Sequence, residues 1–558
     1  VSDILHISKA NETYIRLKAD RHILMELWDH FSYPHPNAAF IPAFREKRWD
    51  GKVRLLDLRS GKLPLGLHLL VKEYCDQMGY EVSYEDPIDV ENPFSVEEFR
   101  RMIEALKPST EIEGVREMIV PHDFQERGII HAIQANRSLL LSATASGKSF
   151  MIYVLLRYYL ARTKGKILII VPTTALVSQL YDDFIDYAHY VDFNVEANCH
   201  KVYDGGEKRT DKRVTISTWQ ALAVKERLPK EILDELKAEK TPAQVKAIVK
   251  KWNKQAPYIL EEEFFHEFKV VFGDECHKFS SQDPGGGGEL EEIMSKLINA
   301  RYRIGTTGTL RDAKIHHMVL EGIFGKVYKV VTTRELIDQK KAAELYIKCL
   351  QFQYSDAERK MMKKKSYPEE MEFLQSHQHR NRFVRDLALS LDGNTLVLFE
   401  KIDKHGKILF DMIKDNIAPG RKLFFVYGKT PTEDRNQVRK ITEGEKDAII
   451  VASYGTFAEG VNIRNINSII FASPTKAKVR VLQSIGRGLR LSRRKTMVTL
   501  YDLADDLSIW NKSGTMVHDN YSLQHFTERI NFYNTEQFDY KLYKCWLEPN
   551  EVQGLSGT

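Results

Sequence analysis

At 558 residues and ~150 residues per folding unit, the chain has room for roughly three or four domains, none needing disulfide or metal staples to fold. Its 43% hydrophobic and 28% charged residues exclude a wholly disordered chain, and 82 Lys+Arg against 77 Asp+Glu, a net +5, is too small an excess to demand a polyanionic partner. The five cysteines (Cys75, Cys199, Cys276, Cys349, Cys545) form no C-x-x-C pair, which excludes a zinc ribbon and a disulfide framework; the lack of any ~18-residue apolar run or signal core predicts a soluble, cytoplasmic protein with no membrane partner.

Residues 1–95 are predicted to form a small α/β accessory domain. Tyr14–Leu17 reads as a strand, and His22–Phe31 places Leu24, Leu27, Trp28 and Phe31 at helical spacing. Lys52–Leu56 alternates as a strand does, and Leu67–Met78 is again helical, with Gly79 at the C-cap. Arg45, Lys47, Arg48, Lys52 and Arg54 surround Trp49. That grouping has two readings: a nucleic-acid contact through Arg48 and Lys52 beside a stacking aromatic, or a solvated edge around one core tryptophan. The charged residues 96–118 are expected to form a helical linker.

From Ile119 short apolar runs alternate with helix-length segments. Ser138–Leu141, Ile167–Val171, Val214–Ser217 and Val270–Phe272 form one set; Thr395–Phe399, Lys422–Val426, Ala448–Val451, Ser468–Phe471 and Val498–Tyr501 form another. Uncharged, often β-branched runs of this kind are typical of parallel strands covered on both faces. The predicted fold is therefore α/β, with two doubly wound parallel-sheet domains in tandem at 119–340 and 341–510.

Lys225–Phe265 is expected to be a helical insertion in the first sheet domain, and Pro284–Gly288 a flexible loop. The run Lys360, Lys363, Lys364 and Lys365 is a solvated helix face or a phosphate-tracking strip. The aromatic-rich extension at 511–558 is a helix docked on the second sheet domain or a base-stacking platform.

Leu141–Ser149 follows an apolar strand and precedes a helical pattern, the context that makes a P-loop credible. Thr144, Ala145, Ser146 and Gly147 are small enough for backbone N–H groups to close around phosphate oxygens, Lys148 supplies a charge to the β and γ phosphates, and Ser149 a hydroxyl to Mg2+. Left-handed backbone at Ala145 would cost ~1–2 kcal/mol, so the turn either avoids it or carries the strain. Asp274 and Glu275 end a buried strand; Asp274 suits a metal contact and Glu275 a general base for the attacking water. Cys276 beside them reads as a small packing residue. Arg487 and Arg490, three apart, would share a helix face and reach γ-phosphate oxygens.

The order of these segments over residues 119–510 resembles the superfamily 2 helicases and translocases. The resemblance implies two RecA-like domains, ATP and Mg2+ as cofactors, and further site residues. Gln125 in Pro121–Gln125 would read adenine. Pro172 and Thr173 in Val171–Val177, and Thr218 in Ser217–Gln220, would touch the nucleic-acid backbone. Thr307 and Thr309 would couple hydrolysis to strand movement. Gly460 belongs to the segments Ala452–Gly455 and Glu459–Asn462, which resemble the fifth motif; Gln483 belongs to Gln483–Arg490, which resembles the arginine-finger motif. Phe44–Asp57, Leu63–Leu67, Gly165–Leu176 and Ile450–Gly455 are similar to phage recombination helicases within that superfamily. That closer resemblance implies ATP-driven remodelling of branched DNA (junction migration, fork regression, R-loop unwinding) in recombination and repair, acting in a bacterial host's cytoplasm on branched, forked or duplex DNA or an RNA–DNA hybrid. An RNA helicase, a duplex translocase that separates no strands, and a non-hydrolysing nucleic-acid-binding scaffold are the alternative readings.

Overall fold

A computed structural model describes residues 3–547 apart from 36–37, 89–91, 113, 204–205, 225, 227, 257–258, 279–288, 311–313, 461–462, 464 and 491–494. The chain divides into two compact units, Val1–Ser142 with Gly147–Val330, and Ala143–Ser146 with Val331–Thr558.

The first unit opens with a four-stranded sheet in the order Lys62–Pro64, Tyr14–Lys18, Ile4–Lys9, Glu81–Tyr84. Alternation puts Leu5, Ile7, Ile15 and Leu17 on its buried face, under helices Arg21–His30 and His68–Met78. The second helix stops at Gly79, whose φ of 79° is left-handed backbone that glycine adopts without strain. Lys52–Arg54 is a strand as expected, but it stops short of Leu56 and pairs with Ser32–Pro34, apart from this sheet.

This small module shares one apolar core with the large sheet that follows: Leu5, Leu65 and Leu67 belong to the same cluster as Leu139, Leu168 and Phe324. Two buried guanidiniums join them. Arg303 donates to Thr13 Oγ1 at 2.7 Å, and Arg137 to the Glu12 carbonyl and carboxylate at 2.5 and 3.1 Å.

Residues 96–118 depart from the expected helical linker. Helix Val96–Leu106 opens with a Ser95/Glu98 capping box, but Lys107 turns left-handed, Pro108 cannot continue the helix, and Ser109–Ile112 pairs with Val115–Met118 as a hairpin. The hairpin is tied down at Asp186, which accepts from Thr110 Oγ1 and Arg116 Nη1 at 2.7 Å each.

The large sheet of the first unit has seven strands in the order Cys199–Val202, Val214–Thr218, Lys166–Val171, Phe268–Asp274, Tyr302–Thr307, Arg137–Ser142, Val327–Val331. Its first six strands are parallel. The insertion is helical, as Lys230–Glu239, Pro242–Gln255 and Glu262–His266. The glycine run Gly285–Gly288 lies outside the described residues.

The second unit is also a seven-stranded sheet, ordered Lys422–Val426, Ala448–Ser453, Thr395–Phe399, Ser468–Phe471, Met497–Asp506, Glu344–Gln353, Tyr540–Trp546, with every neighbour pair parallel. The aromatic-rich extension therefore supplies a docked helix, Tyr521–Thr535, and an edge strand, Tyr540–Trp546. The helix is pinned by buried Arg529, which pairs with Asp502 at 2.9 Å and donates to the carbonyls of Thr475 and Leu503 at 2.8 and 3.0 Å. Removing one member of such a pair leaves an uncompensated buried charge, which costs about 3–5 kcal/mol. Among the described residues no helix is long and apolar enough to cross a membrane.

Candidate active site

Three parallel strands of the first unit end side by side, with Asp274 opposite Thr306 and Thr307 opposite Leu141. Strand Tyr302–Thr307 thus lies between the strand leading to the P-loop and the strand carrying the acidic pair. This puts Lys148, Asp274, Glu275, Thr307 and Thr309 on one carboxyl edge, where ligands of open α/β sheets bind.

The P-loop turn runs from Ser142 to helix Lys148–Arg162. Ala145 has φ 70° and Gly147 φ 81°, so the turn does carry left-handed backbone at an alanine. A Cβ on Gly147 would also sit 2.4 Å from Gln125 Nε2, so any larger residue there has to push that amide aside. Gln125 is 6% exposed and its Oε1 accepts from the His122 amide at 2.9 Å, so the amide side chain is held against the P-loop glycine. Ser149 Oγ lies 3.0 Å from the Tyr187 hydroxyl.

Lys148 Nζ lies 3.8 Å from Glu275 Oε1 and 3.5 Å from the Ser142 carbonyl. Burial, and then the adjacent Glu275 carboxylate, push the Asp274 carboxyl above its ordinary range; Lys148 and the Thr306 hydroxyl, which donates to Asp274 Oδ1 at 2.7 Å, oppose that shift. Glu275 itself has φ 52°, a strained backbone that aims its side chain between Lys148 and His277. His277 Nδ1 is 3.3 Å from Glu275 Oε2 and 3.1 Å from Thr307 Oγ1. The Thr307 hydroxyl donates in turn to the Thr309 carbonyl at 2.8 Å. A continuous polar chain therefore runs from Lys148 to Thr309. Thr306, which donates to Asp274 beside this polar chain, was not singled out in the sequence; His277 closes the Asp274–His277 segment that resembles the DExH-type box, but no role was read for it there. Cys276 is fully buried, with burial pushing its thiol well up, as a packing residue requires.

Thr173 caps helix Thr174–Tyr187 and Thr218 caps helix Trp219–Leu222, on neighbouring strands whose ends Val171 and Thr218 are in register. Pro172 is buried and Thr218 only 4% exposed, with its hydroxyl accepting from the Ala221 amide at 3.3 Å. Three of the five basic residues around Trp49 in the small module pair with carboxylates of that module, while Arg45 donates to the Ala39 carbonyl at 2.9 Å. Arg48 pairs with Glu46, Lys52 with Asp29 at 3.2 Å, and Arg54 with Asp50, all at the surface, and Trp49 is half-buried.

In the second unit Gln483 and Arg487 lie on helix Lys478–Gly488, 6% and 8% exposed. Arg490 does not share their helix, contrary to expectation: the helix ends at Gly488, whose carbonyl accepts from buried Lys495 at 2.6 Å. Burial, and then the nearby Arg490, push the Lys495 ammonium down to about 7. Gly460 ends helix Tyr454–Gly460; Val461 and Asn462 of the same segment lie outside the described residues.

A phosphate-cradling turn, a half-buried acidic pair at the same sheet edge and a second parallel sheet define a P-loop protein of the tandem-sheet motor class. Three family models match the chain: type III restriction enzyme, res subunit, over residues 97–312; DNA helicase UvsW, N-terminal, over 5–85; and the helicase conserved C-terminal domain over 379–492. The ATP-dependent DNA helicase uvsW of Enterobacteria phage T4 is 34% identical over 539 residues, 95% of this chain and 97% of that protein. The crystal structure of T4 UvsW matches at 31% identity over 98% of this chain and 100% of that one, with a TM-score of 0.47. A fragment of a putative HsdR subunit of a type I restriction enzyme from Vibrio vulnificus YJ016 shares the fold, at 16% identity and a TM-score of 0.50 over 88% of this chain and 85% of that one. The chain belongs to the ATP-hydrolysing superfamily 2 helicases and, within them, to the family of phage T4 UvsW.

Proposed function

We propose that this helicase uses ATP to remodel branched DNA, driving junction migration, fork regression and R-loop unwinding in recombination and repair. The observation that carries the reading is the 34% identity to an ATP-dependent DNA helicase across 95% of the chain, the accessory module included.

The site supports a division of labour. Lys148 holds the β and γ phosphates, Thr144–Gly147 cradle them with backbone amides, and Gln125 reads the adenine. Glu275 orients and deprotonates the attacking water. Arg487 and Arg490, with Gln483 on the same segment, neutralise charge developing on the transferred phosphoryl group. Thr307 and Thr309 pass the change at Glu275 along the hydroxyl chain toward the strand-contacting segments at Thr173 and Thr218.

The residues present fit Mg2+. Asp274 is a carboxylate pushed up by burial and a like-charged neighbour, a site that a cation relieves, and Ser149 adds a hydroxyl; both are hard oxygen donors. When bound, the cation neutralises charge on the β- and γ-phosphate oxygens.

Lys148→Ala should abolish ATP hydrolysis and leave DNA affinity within a few-fold of wild type; a variant that still turns over ATP would refute the phosphate assignment. The substrate is tested by comparing strand exchange on a synthetic four-way junction with unwinding of a tailed duplex. Stimulation of ATPase by RNA alone, or by duplex with no strand exchange, would replace the branched-DNA reading.

A further inference from the structure

The P-loop serine is already engaged by a side chain from another helix. Ser149 stands in the first turn of helix Lys148–Arg162, and its Oγ lies 3.0 Å from the phenol oxygen of Tyr187, the last residue of helix Thr174–Tyr187. A serine hydroxyl has one proton and two lone pairs, so this contact leaves at least one lone pair for a further partner whichever oxygen donates.

The position of Tyr187 is fixed from several sides. Its ring packs against Phe150 and Tyr153 of the P-loop helix, with centroids 5.8 and 5.5 Å away, the first of them edge to face. Both of those rings are buried, and Tyr153 is itself held by Phe184 at 5.6 Å and by Arg157, whose Nη1 donates to its hydroxyl at 2.9 Å. The end of the tyrosine's own helix is tied to the hairpin at 109–118, because Asp186 accepts from Thr110 Oγ1 and Arg116 Nη1 at 2.7 Å each. Two helices and a hairpin, distant in sequence, thus deliver one phenol to one hydroxyl.

The chemistry of that hydroxyl calls for such a partner. When a lone pair of a hydroxyl faces a divalent cation, the proton is repelled to the far side and needs an acceptor there. Groups beyond the ligands orient metal-binding oxygens in this way. Asp274 has comparable support, since its Oδ1 accepts the Thr306 hydroxyl at 2.7 Å. Packing between Phe150 and Tyr153 accounts for the Tyr187 ring; it does not account for a hydroxyl aimed at Ser149.

We propose that Tyr187 is a positioning residue for the Mg2+ site, accepting the Ser149 proton and so turning a Ser149 lone pair toward the cation. The inference rests on the reading of Ser149 and Asp274 as Mg2+ ligands.

The test titrates the full chain with the fluorescent nucleotide mant-ADP in EDTA and in saturating Mg2+, and reads the ratio of the two affinities. Tyr187→Phe keeps the ring and removes the acceptor. It should bind mant-ADP in EDTA as the wild type does, while the gain in affinity from Mg2+ falls about tenfold, the lower end of the usual cost of losing such a partner. Ser149→Ala should lose that gain at least as fully, and adding Tyr187→Phe to Ser149→Ala should lower it no further. A wild-type ratio in Tyr187→Phe would overturn the proposal. So would an equal loss of affinity with and without Mg2+, the mark of a packing role, or an additive loss in the double variant. A wild-type protein that binds mant-ADP equally in EDTA and Mg2+, or a Ser149→Ala variant that keeps the full gain, would overturn the metal reading and the role of Tyr187 with it.

Discussion

Ala145 and Gly147 sit two residues apart in the same turn, both with positive φ, yet they answer differently to substitution. Ala145→Gly removes a left-handed strain of ~1–2 kcal/mol at the expense of a freer unfolded chain, so stability should change by less than about 1 kcal/mol and ATP turnover should persist. Gly147→Ala adds the same strain and also drives a methyl to 2.4 Å from Gln125 Nε2, displacing the side chain that lies against the turn. Its ATP affinity should fall at least tenfold, as measured by nucleotide titration; equal affinities in the two variants would show that the turn does not depend on Gln125 packing. The motif was legible as a string of small residues before Gly-Lys-Ser. Which of them must be glycine was not, because that depends on a side chain more than twenty residues upstream.

Between elements, the decisive contact is a backbone one. A Cβ on Gly66 would lie 2.0 Å from the Glu321 carbonyl oxygen, and a Cβ on Gly322 would lie 2.9 Å from Pro64 Cβ, so the small module and helix Lys314–Phe324 approach to backbone distance. Gly66→Ala should therefore force the two apart, lowering the thermal midpoint by several degrees and exposing the module to limited proteolysis, with an overpacking penalty of about 1–3 kcal/mol. Unchanged proteolysis would mean that the neighbouring backbone yields cheaply. The segment Leu63–Leu67 was legible as similar to phage recombination helicases, but not as one half of this contact. Likewise the hairpin at 109–118 was read as helix, because charge and propensity are local whereas Asp186, which pins it, lies some seventy residues away.

Across the whole molecule, acid should weaken the second unit. His405 is fully buried, with Nε2 donating to Asn381 Oδ1 at 3.2 Å and Nδ1 accepting from the Ser473 hydroxyl at 2.9 Å. Burial, then the Arg380 guanidinium, push it down to about 3. Below pH 6.5 the unfolded chain binds the proton that the folded unit refuses, so this contribution to stability is complete above pH 6.5 and is lost as pH falls toward 3, by roughly 2–3 kcal/mol between pH 7 and 4.5. Urea midpoints across that range should fall less steeply in His405→Gln than in wild type; parallel curves would place the acid sensitivity elsewhere.

The sequence alone determined what repeats locally: uncharged parallel strands covered by helices, the phosphate-binding turn, the Asp274–Glu275 pair at a strand end, and the ordered segments that place the chain among helicases. Tertiary structure decided what depends on distant partners. It neutralised Arg48, Lys52 and Arg54 with carboxylates of their own module, ended the arginine-bearing helix at Gly488 by burying Lys495 against its last carbonyl, and drew Tyr540–Trp546 into the second sheet as its seventh strand. Backbone pattern follows from side-chain periodicity within a few residues, whereas charge pairing, helix termination and edge-strand placement depend on which distant segments come together to bury the same surface.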